Sequence, residues 1–161
     1  MLRVRRAAPE DVDELLDGYE AVAAEGIHIG GEAPIDRDRR RAAWLQTIDP
    51  STPGASFVAE AEGGIVGQLG IVGDGRMELG MWVAKEWRGK GAGAALMHAA
   101  LEYAREHGAF KVALEVWPHN EAAIGLYEKF GFEREGYLRK HWRRRNGELW
   151  DSVVMGLVLV D

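Results

Sequence analysis

The stretch from Trp87 to Ala94, WRGKGAGA, carries residue types that could bind an anion. Three glycines alternate with other residues, Arg88 and Lys90 add positive charge, and an alanine-rich helix is predicted to follow. Glycine lets backbone N–H groups approach a phosphate closely, and the positive end of the helix dipole would point at the same place. The segment therefore predicts a phosphate or pyrophosphate site, with a plain turn between a strand and a helix as the alternative.

Two other phosphate-binding motifs compete for this segment. Gly89 to Ala94 matches the dinucleotide fingerprint G-x-G-x-x-G/A, and Glu115 lies roughly 20 residues further on, where that motif carries an acidic residue. Against this match, Lys85-Glu-Trp-Arg88 separates the loop from its strand, and that strand closes an antiparallel meander instead of belonging to a parallel sheet. The P-loop pattern fails because no Lys-Ser/Thr pair follows a glycine.

The elements that must position the loop follow from apolar periodicity and turn residues. An opening strand and two helices come first, the second helix covering Asp36 to Ile48. Three short apolar runs, separated by Gly63-Gly64 and by Gly73-Asp-Gly75, predict an antiparallel meander ahead of the loop. After the loop come a helix, a strand, a second helix and a hairpin joined at Asn146-Gly147. The order β, α, α, β-β-β, α, β, α, β-β predicts an α+β fold with a mixed sheet.

Length and composition limit the class of protein. The 161 residues, 47% apolar and 29% charged, favour one globular domain over residues 1–161. The net charge of −6 argues against general nucleic-acid binding, and no apolar run approaches the ~20 residues of a membrane span. The absence of cysteine excludes disulfides and a cysteine nucleophile, and the five histidines form no H-x-x-x-H pair that would predict a metal site. Because the N terminus turns acidic where a signal peptide turns apolar, we expect a cytoplasmic protein.

The glycine-rich segment also resembles a family motif, and a second motif supports the resemblance. Arg88-Gly-Lys-Gly-Ala-Gly93 matches the R/Q-x-x-G-x-G/A motif of the GNAT acyltransferases, which bind acetyl-coenzyme A. Leu114 to Phe132, LEVWPHNEAAIGLYEKFGF, resembles the second signature of that family. The resemblance covers nearly the whole chain and is strongest from Met77 to Phe132. It implies a GNAT-like fold, with a mostly antiparallel central sheet flanked by helices.

The resemblance implies a site for acetyl-coenzyme A, the acyl-donor co-substrate. The glycine loop would hold the pyrophosphate, and the strand before the loop would pair with the pantetheine arm. The implied residues are Met81, Trp82, Val83, Arg88, Gly89, Lys90, Gly91, Ala92, Gly93, Asn120 and Tyr127. From the residues alone, Asn120 is equally well explained as a helix N-cap and Tyr127 as a core aromatic. The resemblance implies that Tyr127 protonates the thiolate, since a phenol with an ordinary pKa near 10 is protonated at neutral pH.

Two strand glutamates are candidates for the base that removes the proton of the acceptor amine. Glu78 lies in the strand before the loop, and Glu115 lies in the next strand, five residues before Asn120. Both positions resemble those of glutamates in some family members. Alternation along the strand places Glu78, Gly80 and Trp82 on one face. Either carboxylate could act directly or through water, or be an ordinary exposed strand residue, and water chains alone are a further alternative.

The remaining candidates lie in loops and in the terminal hairpin. His28, in the loop GIHIGG, is predicted to contact the acceptor, as loop residues of the family do, and His119 beside Asn120 is a weaker candidate. The basic run Arg139 to Arg145, RKHWRRR, could indicate a nucleic-acid site. Alternation of side chains along a hairpin strand divides these charges between both faces, however, and this predicts a solvated edge strand. Two tryptophans of this hairpin predict a homodimer surface, namely Trp142 and Trp150.

These features together predict an N-acetyltransferase. It would transfer an acetyl group from acetyl-coenzyme A to a primary amine of an amino acid, an amino-acid-like antimetabolite or a polyamine, by direct attack in a ternary complex. Protein N-terminal or lysine acetylation, and a coenzyme A-binding module without catalysis, are the alternatives. No metal, nucleic acid or membrane is an expected partner.

Overall fold

The computed structural model describes residues 1–161 and contains seven strands and four α-helices. In chain order the elements are β1 (Arg3–Arg6), α1 (Val12–Glu25), α2 (Arg37–Ile48), β2 (Gly54–Ala61), β3 (Gly64–Asp74), β4 (Arg76–Val83), α3 (Ala92–Glu106), β5 (Lys111–Val116), α4 (Glu121–Lys129), β6 (Glu133–Arg143) and β7 (Leu149–Val158). Short 3₁₀ turns at Pro9–Asp11 and Lys85–Trp87 precede α1 and α3. The predicted order of elements and the α+β class are confirmed.

One mixed sheet runs through the molecule in the order β1-β2-β3-β4-β5-β7-β6. Every neighbouring pair is antiparallel except β4 and β5, which are parallel. The main core, which includes Leu79, Leu96, Val112 and Tyr127, lies on the face covered by α3 and α4. Smaller clusters pack α1 and α2 against the opposite face. The sheet is therefore covered on both faces. Its α3/α4 face is apolar, whereas the opposite face also carries the buried polar residues Ser56 and Gln68.

Helix α1 approaches β4 closely because a glycine faces a tryptophan. A Cβ on Gly18 would lie 2.4 Å from the ring of Trp82, which is only 5% exposed. Helix α1 ends at Gly26, whose φ of 78° is the left-handed conformation that glycine adopts at low cost. Asp36 begins α2 by accepting the N–H of Arg39, as an N-cap residue does.

The feature that matters most for function is the short pairing between the two parallel strands. Only Arg76–Glu78 of β4 pair with Lys111–Ala113 of β5. Beyond Glu78, β4 stays paired with β3 as far as Val83, and β5 stays paired with β7 as far as Val116. The two strands therefore separate, and a cleft opens between them in the middle of the sheet.

The terminal hairpin has the predicted strands but a longer connection than a two-residue turn. Residues 144–148 join β6 to β7, with the N–H of Arg144 bonded to the carbonyl of Glu148 at 2.8 Å. Gly147 takes a positive φ of 92°, which accounts for glycine there. Strand β6 lies at the edge of the sheet, as its basic residues predict. None of the helices combines the length and apolar composition needed to cross a bilayer.

Candidate active site

The cleft between β4 and β5 has a volume of about 1250 Å³ and is lined by residues from both halves of the sheet. The end of β4, the glycine loop and the first turn of α3 form one side. The end of β5 and helix α4 form the other, and the loop between α1 and α2 lies across one end. The predicted site residues line this cleft, except Lys90 and the weaker candidate His119.

The glycine loop presents backbone donors that nothing within the chain uses. Gly89 and Gly91 have φ values of 74° and 91°, and α3 begins at Ala92. The first backbone N–H to find a helical partner is that of Ala95, which donates to the carbonyl of Gly91 at 3.0 Å. The N–H groups of residues 89–94 have no backbone acceptor, and they lie at the positive end of the α3 dipole. This arrangement fits an anion such as a pyrophosphate.

Arg88 does not supply the free positive charge that the sequence predicts. Its guanidinium donates to both carboxylate oxygens of Glu25 at 2.7 Å and to Nε2 of His28 at 3.0 Å, and its Nε donates to the carbonyl of Val83 at 3.1 Å. These bonds fasten the loop to the end of α1, so the side chain of Arg88 positions the loop and its charge is neutralised. Lys90 stacks over the ring of Trp87 at 4.9 Å and has no carboxylate partner, which leaves it as the free cation of the loop.

Glu25 is a residue next to the cleft that sequence reasoning missed. It lies 63 residues before Arg88, and no local pattern connects the two. The hydrogen bonds from Arg88 hold the pKa of the Glu25 carboxyl below its usual range. The pKa of His28 is lowered, first by burial and then by the positive charge of Arg88, so His28 is neutral and accepts from that guanidinium.

The end of β4 offers an unpaired strand edge to the cleft. Residues 79–83 pair with β3 on one side and with nothing on the β5 side. Because backbone groups alternate in direction along a strand, half of them point into the gap. The side chain of Trp82 has a structural role, since its Nε1 donates to Gln68 at 2.8 Å and Gln68 donates to Ser56 at 3.1 Å. The backbone groups of Met81, Trp82 and Val83, and not the Trp82 side chain, are therefore available to a ligand in the cleft.

Tyr127 is both a core aromatic and a wall of the cleft. It is 6% exposed and packs 5.8 Å from the ring of Phe132. Burial raises the pKa of the Tyr127 hydroxyl to about 12. That hydroxyl makes no hydrogen bond within the chain. Since every fully buried polar side-chain atom has a hydrogen-bond partner, the hydroxyl is not fully buried and is open to the cleft. It is a protonated donor at any physiological pH.

Asn120 is the N-cap of α4, where its side-chain oxygen accepts the N–H of Ala123 at 3.2 Å. The predicted capping role is therefore confirmed. The side-chain NH₂ of Asn120 makes no hydrogen bond within the chain, and the residue lines the cleft. The amide is therefore free to donate to a ligand, so its role as a cofactor contact stays a prediction.

The two candidate bases lie on opposite strands of the cleft. Glu78 on β4 is exposed and accepts from Arg76 at 2.8 Å. Glu115 on β5 accepts from the hydroxyl of Ser152 at 2.7 Å and from Nε1 of Trp142 at 2.9 Å. Both line the cleft, so the structure leaves both as candidates. Glu115 is held in place by neutral donors, whereas Glu78 is bound to an exposed cation.

The loop between α1 and α2 is tied across the cleft by three donors. Nε1 of Trp117 donates to the carbonyl of Ile29 at 3.2 Å, and Nε2 of His119 bonds the carbonyl of Ile27 at 2.7 Å. The third donor is Arg144, which bonds the carbonyl of Gly30 at 2.9 Å. His119 therefore serves to position this loop.

Arg144 corrects the prediction that the whole run Arg139 to Arg145 is solvated. Its side chain is 5% exposed and stacks on Trp150 at 4.3 Å and on Trp117 at 5.1 Å. Trp150 is thereby partly buried within the chain, so less of its ring is available to the predicted homodimer surface. Trp142 remains 46% exposed.

The sequence matches the model of the acetyltransferase (GNAT) family over residues 19–132. A Bacillus subtilis relative, named for N-acetylation of an alanine of ribosomal protein bS18, is 35% identical over 64% of this chain and 68% of its own. An L-methionine sulfoximine/L-methionine sulfone acetyltransferase of Pseudomonas aeruginosa is 29% identical over 84% of this chain and 82% of its own.

The fold is also that of an acetyltransferase structure from Salmonella typhimurium, solved with its cofactor acetyl-coenzyme A. That structure superposes with a TM-score of 0.88, at 21% identity, over all of this chain and 95% of the other. The unpaired loop donors, the open strand edge and the phenol at the wall of the cleft fit acetyl-coenzyme A. The chain belongs to the acetyltransferase (GNAT) family and is an N-acetyltransferase that uses acetyl-coenzyme A as its acyl-donor co-substrate.

Proposed function

We propose that the protein acetylates the primary amine of a small molecule, which is an amino acid, an amino-acid-like antimetabolite or a polyamine. The observation that carries the proposal is the cleft between β4 and β5, which is lined by an unpaired strand edge, a protonated phenol and two carboxylates. The Pseudomonas aeruginosa relative, whose name gives two amino-acid analogues as acceptors, supports this substrate class.

Several residues of the cleft have a proposed role in the transfer. Acetyl-coenzyme A supplies the acetyl group as a thioester when it is bound. The N–H groups of residues 89–94 bind its pyrophosphate, while Asn120 and the backbone of Met81 to Val83 orient its arm. Glu78 or Glu115 takes the proton of the amine, directly or through water, and Tyr127 gives its proton to the leaving sulfur. Direct attack in a ternary complex needs no covalent enzyme intermediate, which is consistent with the absence of cysteine.

Acetylation of a protein N terminus is the second candidate, because one relative is named for that reaction. A peptide chain must enter the cleft in extended form. The loop between α1 and α2 is held across the cleft through three of its carbonyls, those of Ile27, Ile29 and Gly30, which narrows this approach. The geometry therefore favours a small acceptor.

The test is a screen of acceptor amines for release of coenzyme A. The panel contains the standard amino acids, L-methionine sulfone, spermidine and a short peptide beginning with alanine. Turnover with free amines and none with the peptide supports the proposal. Turnover with the peptide alone contradicts it. Tight binding of acetyl-coenzyme A without turnover on any amine favours a coenzyme A-binding module.

The identity of the base is tested by pH–rate profiles. A carboxylate base must be ionised, so kcat/KM falls toward acidic pH, and that limb disappears in Glu78→Gln or in Glu115→Gln, whichever residue is the base. If neither substitution changes the limb, water alone removes the proton. We further propose that residues 1–161 act as one domain in the cytoplasm. A homodimer would use the exposed face of Trp142, and equilibrium sedimentation tests it.

A further inference from the structure

A second part of the cleft lies over a patch of sheet that has no side chains. Gly70 of β3 and Gly80 of β4 are directly opposite each other, and a Cβ on either would have no heavy atom within 4 Å. Along the strands, this glycine pair is flanked at one end by Trp82 bonded to Gln68 and at the other by Val72 opposite Glu78. Since residues two apart share a face, these flanking side chains point to the same side as the glycines would. We call the Gly70–Gly80 pair the glycine floor.

Helix α2, which lines the same cleft as the glycine floor, carries an arginine that has no ion-pair partner. Arg40 on α2 lies over the ring of Tyr19 at 4.5 Å and near that of Trp44 at 5.9 Å. Tyr19 and Trp44 belong to the same apolar cluster as Trp82, the residue that bounds the floor. Arg40, Tyr19, Trp44 and both floor glycines all line the cleft.

The neighbouring arginines of α2 have different partners, which sets Arg40 apart. Arg37 is bound to Asp17 and Glu20, and Arg41 is bound to Asp13, so both fasten α2 to α1. Arg40 has neither a carboxylate within 4 Å nor a side-chain hydrogen bond, and it is half-buried. Two aromatic rings hold its guanidinium while its N–H groups remain available. A guanidinium so held offers a paired set of donors that matches a carboxylate.

We propose that Arg40 binds the carboxylate of the acceptor above the glycine floor, so that the acceptor is an amino acid or an analogue with a free carboxylate. This inference rests on the proposed function and selects within it. The far end of the floor carries Glu78, which uses one carboxylate oxygen, Oε1, to accept from the exposed Arg76 and has its second oxygen left to accept from the ammonium group of a zwitterion. A polyamine, which has no carboxylate, gains nothing from Arg40 and is repelled by it. The absence of side chains on the floor leaves room for the acceptor between the sheet and α2.

The first test compares an acid with its uncharged counterpart, using L-methionine sulfone and its carboxamide. With wild-type protein, kcat/KM for the acid should exceed that for the carboxamide by roughly 10- to 100-fold, the range expected for a charge-assisted hydrogen bond. Arg40→Gln should remove this preference by raising the KM for the acid, and it should leave the KM for acetyl-coenzyme A unchanged. The matched control is Arg39→Gln, an exposed arginine on the same helix that does not line the cleft. Its preference should equal that of wild type.

The second test fills the floor with Gly80→Val. Valine is favoured in strands and meets no atom within 4 Å at its Cβ, so the melting temperature should not fall. The KM for the acid should rise at least about 10-fold while acetyl-coenzyme A still binds, because loss of the charge-assisted contact alone has that size.

Several outcomes would overturn the inference and leave the proposed function intact. One is turnover of spermidine in place of amino acids, and another is an equal effect of Arg40→Gln on the acid and the carboxamide. A third is a raised KM for acetyl-coenzyme A in Arg40→Gln, and a fourth is an unchanged acceptor KM in Gly80→Val. Absence of turnover on every amine would overturn the proposed function as well.

Discussion

The ion pair between Glu25 and Arg88 should stabilise the fold and order the glycine loop at the same time. Arg88 donates to both carboxylate oxygens of Glu25 at 2.7 Å, and it also holds the end of β4 through the carbonyl of Val83. Replacing Glu25 with glutamine keeps the shape of the side chain and removes its charge. The glycine loop would then be held less tightly to the end of α1, through the remaining bond of Arg88 to His28 and a weaker bond to the amide oxygen.

The size of the effect follows from the exposure of the two side chains. A hydrogen bond to a charged group contributes about 1.5–3 kcal/mol, and an exposed ion pair only about 0–1 kcal/mol. The side chains of Arg88 and Glu25 are 29% and 22% exposed, so solvent screens them partly. We expect Glu25→Gln to lower the free energy of unfolding by about 1–2 kcal/mol, which lowers Tm by about 2–4 °C for each kcal/mol. A loop loosened by ~1 kcal/mol should raise the KM for acetyl-coenzyme A about fivefold.

The assay is urea unfolding of wild type and Glu25→Gln at pH 7 and at about pH 3. The pKa of Glu25 is lowered in the folded state, so its contribution is complete above the unfolded pKa, about 4.3, and is lost as pH falls through the lowered folded value. The difference between the two proteins should therefore shrink in acid. The control is Arg3→Gln, because Arg3 is 71% exposed in its pair with Glu60 and should change stability by less than about 0.5 kcal/mol.

Two results would refute this reasoning. One is a loss of stability in Glu25→Gln no larger than that in Arg3→Gln. The other is a difference between Glu25→Gln and wild type that stays constant from pH 7 to about pH 3. A double-mutant cycle with Arg88→Gln adds a check, since the two substitutions should be non-additive if they remove the same interaction.

Three further substitutions test other parts of the cleft. Tyr127→Phe should reduce kcat by about 10²- to 10⁴-fold, because it removes the proposed proton donor. The stability should change by no more than about 0.5 kcal/mol, because the hydroxyl has no hydrogen-bond partner within the chain and is not fully buried. An unchanged kcat in steady-state assays would exclude the acid role. Gly91→Glu should abolish binding of acetyl-coenzyme A in isothermal titration, because it puts a side chain and a negative charge where φ is 91°, and retained tight binding would contradict the pyrophosphate site. Arg144→Met should lower the free energy of unfolding, measured in urea, by about 2–4 kcal/mol. The substitution removes a buried cation that stacks on two tryptophan rings and donates to the carbonyl of Gly30. A decrease of less than about 0.5 kcal/mol would show that the stack does not stabilise the hairpin.

The elements and their order could be predicted because local chemistry specifies them. Gly89 and Gly91 of the loop have positive φ values, which glycine adopts at low cost. Asn120 caps its helix by accepting the N–H of the residue three positions further on. The hairpin connection was predicted less well. The Asn146-Gly147 pair indicates a tight turn, but Arg144 is bound into the cleft wall, so the strands end earlier and the connection covers residues 144–148.

Sequence determined the glycine loop, the phenol and the two strand carboxylates as candidates, because each has a recognisable residue type or motif at a local spacing. Only the tertiary structure decided which charges remain free. Arg88 is neutralised by a residue 63 positions away, and Arg144 is buried between rings from two other strand ends. Arg40 stays unpaired although both α2 arginines beside the α1 carboxylates are bound. The reason is physical: an opposite charge beside a group reduces the charge that a ligand can use, and strand order and helix packing decide which groups lie side by side.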